Sequence, residues 1–344
     1  MRALLVRLSA IGDVVHTLPV ASALRQRGFD VDWVVEPSAR PLLEGNPAIH
    51  RAIPAPPARA AGLPRAWAAA RGLRVAPHDV ALDLQGLWKS AAWARASGAR
   101  RVVGFAGPWR REPLSEILLG ERVRLDPEPA HVIDKNLALL RALDIRAEGH
   151  REFPLPPAPT EARRVSEQIA ANGWGDFAVI NPGGGWASKL WPQESFGKVA
   201  EGLAALGIVP VVTWGPGERE CAERVVAASA QTARLCFPTT LLEYVELARR
   251  ARVVLAGDTG PLHLACAAGT PVVGVFGPTD PARNGPFGPG DITVRRQPLC
   301  SPCHRRRCPI HRGVMAAIPP AEVLAAVERR LAHAAATRSA PSAG

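Results

Sequence analysis

The chain has 344 residues, of which 47% are hydrophobic and 5% aromatic, with a formal net charge of +11. That length exceeds one ordinary core and predicts two domains of roughly 150 residues each, while no apolar run is long enough for a bilayer-spanning helix. Such a charge favours anionic partners, but the arginines are dispersed and no familiar nucleic-acid module is present. An anionic membrane face or acidic glycolipid is therefore expected, and nucleic acid is not. Six cysteines, three of them clustered late, do not make a disulfide scaffold and point to the cytoplasm.

The first segment, MRALLVRLSAIGDVV, reads as a strand rather than a secretion signal, because Arg7 interrupts the apolar run and no small-residue cleavage site follows. Strand-like and helix-like segments then alternate: a strand at 3–8, a helix at about 14–27, a strand at 31–35, a helix near Ala39, strands at 80–84 and 102–103 flanking a helix from Leu87, and a helix at 132–143. This alternation predicts an α/β fold with doubly wound parallel sheets. The proline-dense run from Phe153 to Pro159 cannot hold a helix or an inner strand and is expected to be the linker, 153–160, after a first domain 1–152.

The second half repeats the pattern. A helix is expected at about 161–171, strands at 178–180 and 209–212, helices from Glu194, Glu218 and Leu241, and a final βαβ unit with strands 253–256 and 272–276 around a helix at 261–268. A second domain at 161–318, a C-terminal helix at 319–333 and a disordered tail at 334–344 complete the reading. Two similar halves around a hinge imply a cleft where two substrates meet.

The most informative stretch is GDTGPLHLACAAGTPVVGVFGPTDP, 257–281. Ligands of parallel sheets sit beyond the carboxyl ends of the strands, where the next helix presents unpaired N–H groups. Asp258, Thr259 and Gly260 fall at that spot with His263 one turn later, which fits a diphosphate. In the first half, Asp13 follows Gly12 at a strand-to-helix turn; it reads as an N-cap or as a general base that takes a proton from a sugar hydroxyl. The loop from Asn181 through Gly183, Gly184, Ser188 and Lys189 to Pro192 is neither a Walker loop nor GxGxxG; its glycines allow close approach to an anion, and Lys189 suits a leaving phosphate, although a flexible turn has the same composition. Glu218 suits ribose hydroxyls and equally a helix-starting acid.

Asp30 and Asp32 have the Asp-x-Asp spacing of metal-holding sugar transferases, but they stand at the strand entrance, opposite to where sites form. Cys300, Cys303 and Cys308 with His311, or His304 in its place, fit a structural zinc or iron site and equally a reduced surface loop. No cofactor is expected to be required for catalysis.

RLSAIGDVVHTLP at 7–19, ALDLQGLWKSAAWAR at 81–95, the loop ending Lys189-Leu-Trp-Pro192, and DTGPLHLACAAGTPVVGVFGPTDP at 258–281 resemble, in order, the blocks of the ADP-heptose:lipopolysaccharide heptosyltransferases, glycosyltransferase family 9. REPLSE at 111–116 is similar to members adding the first heptose, and the late cysteines to members adding later ones.

The resemblance implies a GT-B architecture of two Rossmann-like domains facing a central cleft, with inverting, metal-independent transfer from ADP-L-glycero-D-manno-heptose to a Kdo or heptose of a lipid A-linked oligosaccharide. It implies Asp13 as base and Lys189 as phosphate-stabilising residue. Donor contacts would come from Gly183, Gly184, Ser188, Glu218 (or Glu220), Asp258, Thr259, Gly260 and His263, and acceptor contacts from Ser9, Gly12, His16, Gln85, Lys89, Arg110 and Arg111. Such an enzyme would work in the cytoplasm, peripheral to the inner face of the cytoplasmic membrane. A sugar-nucleotide epimerase or hydrolase, or a non-catalytic glycan-binding protein, are the alternatives. The chain departs from the family at 54–74, where alanine and proline replace basic residues and Arg59, Arg65, Arg71 and Arg74 remain. It departs again at Val314, where a fourth cysteine often stands.

Overall fold

The computed structural model describes residues 1–56, 71–75, 78–303, 305–308 and 313–339. Arg59, Arg65, His304 and His311 lie outside the described residues. Among those described, no helix is long and apolar enough to cross a membrane. The chain divides into two compact units, Met1–Pro157 and Ala158–Gly344.

The first unit is built on β1 (Arg2–Val6), β2 (Asp30–Val35), β3 (Arg51–Pro54), β4 (Val80–Asp83), β5 (Arg101–Phe105) and β6 (Glu121–Val123). All pair in parallel in the order β3-β2-β1-β4-β5-β6. The second unit contains β7 (Phe177–Asn181), β8 (Val209–Val212), β9 (Arg234–Leu235), β10 (Val254–Gly257), β11 (Val272–Phe276) and β12 (Ile292–Arg295). Its order, β12-β11-β10-β7-β8-β9, is the same winding repeated, again parallel throughout. The inner strands are mostly buried and mainly apolar because helices cover both faces, the rule for parallel sheets. Each unit has its own core, one around Leu4, Val6, Val34, Trp93 and Val102, the other around Ile180, Trp191, Phe196, Val212, Leu255 and Val275.

Some elements differ from expectation for local reasons. The single helix foreseen at 14–27 is two, Ile11–Val15 and Leu18–Gln26, because Pro19 starts a new helix in its first turn. The helix at 132–143 is α-helical only over Val132–Ala138 and tightens to 3-10 over Leu139–Leu143. Of the tail expected to be disordered at 334–344, residues 334–339 continue the final helix, Pro320–Ser339, since its alanines favour helix, and 340–344 lie outside the described residues. Ile318, Val323, Ala326 and Val327 anchor the start of that helix in the second core, and the Trp191 indole donates to the Ile318 carbonyl over 3.1 Å.

Asp32 is a structural hub. Its buried carboxylate accepts from Arg2 and Arg51 on Oδ2, each at 2.9 Å, and lies 2.9 Å from ring nitrogens of His50 and His78. Burial alone would raise its pKa, but the hydrogen bonds from His78 and His50 and the charge of Arg51 hold it well below the usual carboxylate range. A carboxyl with a depressed folded value contributes stability above its unfolded value, near 3.8, and loses that contribution as the pH falls toward the folded value. Asp32→Asn is expected to cost about 3 kcal/mol or more at neutral pH, because four basic partners lose their counter-charge. The gap to wild type in urea midpoints should narrow from about pH 4 to about pH 2.5; a gap that stays constant over that range rules the ion pairs out.

Candidate active site

In an open parallel sheet the crevice lies where neighbouring strands send their connections in opposite directions. In the second unit that point is between β7 and β10. The loop leaving β7 and the turn leaving β10 touch there: a Cβ on Gly184 would lie 3.0 Å from the Thr259 methyl, and one on Gly257 would lie 3.5 Å from the Lys189 carbonyl. Thr259 is the residue before helix Gly260–Ala267, whose second residue is Pro261, so the helix's first N–H groups have no intrahelical partner.

Asp258 organises the crevice. Its Oδ2 is 2.5 Å from Lys189 Nζ, its Oδ1 accepts from Asn284 Nδ2 at 2.7 Å, and His263 Nε2 is 3.5 Å from Oδ1. Burial pushes this carboxyl up, but the His263 hydrogen bond and the Lys189 charge outweigh it and keep the group ionised far into acid. Lys189 Nζ also lies 4.5 Å from the centroid of the Trp186 ring, which adds a cation–π contact.

The sequence alone did not single out Asn284. Its signal was the Asp280-Pro281 helix start: Asp280 caps helix Pro281–Asn284 by accepting from Ala282 N–H at 3.1 Å, which aims the last residue of that turn at Asp258. Glu218 precedes helix Arg219–Ala228 and accepts from Gly215 N–H at 3.1 Å, and its carboxylate occupies the space a Cβ on Gly183 would need. Glu220 is exposed and paired with Arg224 at 3.1 Å, so of the two acids only Glu218 is at the crevice. Ser188 reaches outward to the carbonyl of Arg305 at 2.8 Å.

In the first unit the equivalent point is between β1 and β4. Gln85 closes it from below, accepting from Leu8 N–H at 3.0 Å and donating to the Ser9 carbonyl at 3.3 Å. Asp13 sits in helix Ile11–Val15 over the buried Gly12. One of its oxygens is 2.7 Å from Arg7 Nη2, the other accepts from Ala10 N–H at 3.2 Å, and the side chain remains 43% exposed. Arg7 was another residue missed: nearly buried, it also donates to the Leu84 carbonyl, so it is fixed on the β4 side and orients Asp13.

The remaining candidates divide. Lys89 stands beside this crevice, 2.9 Å from Glu36. Arg111 is exposed. His16 is buried, its ring edge-to-face on His131 with centroids 5.6 Å apart. Arg110 is also buried: its Nη2 is 2.6 Å from Asp83, Nε donates to Ser115 at 2.9 Å, and Nη1 reaches the Phe105 carbonyl at 3.4 Å. Those contacts hold the loop after β5 against β4. Both side chains are held within the first unit by these contacts.

Cys300 is exposed, and Cys303 and Cys308 are partly buried. Among the described residues no three His, Cys, Asp or Glu side chains gather to hold a metal, and His311 lies outside those residues.

The family model described as glycosyltransferase family 9 (heptosyltransferase) matches residues 66–312. Lipopolysaccharide heptosyltransferase 1 of Pseudomonas aeruginosa is 31% identical over 322 residues, covering 90% of this chain and 87% of that protein. Lipopolysaccharide heptosyltransferase 3 of Escherichia coli K12 is 25% identical over 332 residues, covering 93% and 95%. Among solved structures, an E. coli heptosyltransferase with ADP superposes with a TM-score of 0.76 at 25% identity, covering 96% of this chain and 100% of that one. A glycosyltransferase family 9 structure from Veillonella parvula shares the fold with a TM-score of 0.82 at 20% identity, covering 96% and 97%. Two repeated parallel sheets in the GT-B manner, an acid at one switch point and a lysine–aspartate pair at the other thus go with a match over most of the chain, and the protein belongs to glycosyltransferase family 9, the heptosyltransferases.

Proposed function

We propose that this glycosyltransferase moves a heptose from ADP-L-glycero-D-manno-heptose to a Kdo or heptose of a lipid A-linked oligosaccharide, with inversion at the anomeric carbon. The observation that carries this reading is the Lys189–Asp258–Asn284 cluster beside the first turn of helix Gly260–Ala267, a built cradle for a nucleotide's diphosphate. In this reading Thr259 and Gly260 offer backbone amides to the phosphates, Lys189 neutralises charge on the leaving ADP, His263 steadies Asp258, and Glu218 accepts from ribose hydroxyls. Gly183 and Gly184 let the nucleotide approach the backbone.

Asp13 takes the proton from the acceptor hydroxyl, whose oxygen bonds to the anomeric carbon from the face opposite ADP. The bond from that carbon to the phosphate oxygen breaks, and its electron pair leaves with ADP. Ser9, Gly12, Gln85, Lys89 and Arg111 bind the acceptor, while His16 and Arg110 position the loops that carry it. The charge of +11 supports docking on an anionic membrane face, where lipid-linked acceptors reside.

Two measurements test this. ADP release from ADP-heptose should depend on added Kdo-bearing lipid A; release without acceptor indicates a hydrolase or epimerase, and none at all a binding protein. Gly183→Ala, which drives a methyl group into the Glu218 carboxylate, is expected to weaken ADP binding about tenfold, the size of a lost charge-assisted contact, with only a small change in melting temperature. Unchanged ADP affinity in that variant would remove Glu218 from the donor site.

A further inference from the structure

The diphosphate cradle has a charge deficit. Lys189 is paired with Asp258 at 2.5 Å, so part of its charge is offset before an anionic nucleotide arrives. Three consecutive arginines, Arg305, Arg306 and Arg307, stand nearby with exposed side chains, and none of them forms an ion pair among the described residues. Neighbouring arginines are spent differently: Arg295 pairs with Asp280 at 3.0 Å and Arg296 with Glu322.

Two backbone anchors place the triplet. Cys303 N–H donates to the Pro278 carbonyl over 2.8 Å, just beyond β11. Ser188, in the loop that follows β7, donates through Oγ to the Arg305 carbonyl at 2.8 Å and through its N–H to the Arg306 carbonyl at 3.2 Å. In the sheet β10 lies between β11 and β7, so the anchors stand on either side of the exit of β10, where Asp258, Thr259 and Gly260 emerge. Two strand spacings amount to about 10 Å. The arginine backbone is thereby held one residue from Lys189, at the mouth of the crevice.

We infer that Arg305, Arg306 and Arg307 form a second cationic contact to the donor's diphosphate, with Ser188 as the positioning residue that docks them. The inference rests on the donor reading above. Guanidinium groups suit the task because their planar donors bridge two phosphate oxygens and stay charged at any working pH. The segment would then add positive charge beside a lysine that Asp258 already partly offsets.

Calorimetric titration of ADP and AMP into the full chain tests this. Changing all three arginines to glutamine is expected to weaken ADP binding about tenfold or more, the size of one or two charge-assisted contacts, and AMP binding much less. The three lysine replacements should recover most of the loss, and wild-type ADP affinity should fall more steeply with salt than that of the glutamine variant. Ser188→Ala, which keeps the charges and removes one anchor, should give an intermediate loss. The arginine variants should melt near wild type, since those side chains are exposed. If wild type binds ADP and the glutamine variant binds it equally well, the arginine contact is wrong while the donor reading survives. If wild type does not bind ADP, the donor reading falls and takes this inference with it.

Discussion

Replacing Asp13 by alanine is expected to cut the rate of acceptor-dependent ADP release by about 10² to 10⁴, the usual contribution of a positioned general base. Folding should hardly change. The carboxylate is 43% exposed, and its ion pair with Arg7 is the kind that contributes about 1 kcal/mol or less. Because Arg7 keeps its bond to the Leu84 carbonyl, the turn that carries the acid stays in place without it. Single-turnover rates and thermal melts on the same preparation separate the two effects. A variant that turns over at near-normal rate ends the assignment of Asp13 as base; one that loses rate and melting temperature together makes Asp13 a structural residue.

Lys189→Met should be costly twice over. Turnover should fall about 10² to 10³, as for removal of a donor that stabilises developing charge. Stability should fall by about 3 kcal/mol, because Asp258 is left as a buried carboxylate with only Asn284 and His263 to hold it. Adding Asp258→Asn to that variant removes the uncompensated charge, so the double variant should regain most of the melting temperature and none of the rate. If stability and rate recover together, Lys189 acts only through the fold and not on the leaving group. If the single variant melts like wild type, the pair is not the buried interaction its side-chain exposures of 16% and 5% imply.

The inner strands of both sheets were legible in the chain, and the outer ones were not. Strands β1, β2, β4, β5, β7, β8, β10 and β11 carry apolar runs because each is covered on both faces and flanked on both edges. The elements without such runs are β3, β6, β9 and β12, which are the four edge strands. Their burial alternates or fails, as in exposed Arg51 and Pro54 or in the two residues Arg234 and Leu235, since an edge strand need not be apolar throughout. A pattern search reads coverage, and coverage is what an edge lacks.

The site divides the same way. Local backbone chemistry placed Asp13 after Gly12 and Asp258-Thr259-Gly260 ahead of Pro261, because turns and helix starts are written in neighbouring residues. Which charges meet was beyond that grammar. Asn284 reaches Asp258, Arg7 holds Asp13, Arg110 is drawn inward by Asp83, and Asp32, whose spacing mimics a metal motif, gathers Arg2, His50, Arg51 and His78. Each of these partners comes from a different element, brought near by the winding of the sheet. Hydrogen bonds and ion pairs act over about 3 Å, so a residue's role is set by what the fold carries to that distance, whereas strand, turn and helix follow from periodicity and from backbone freedom along the chain.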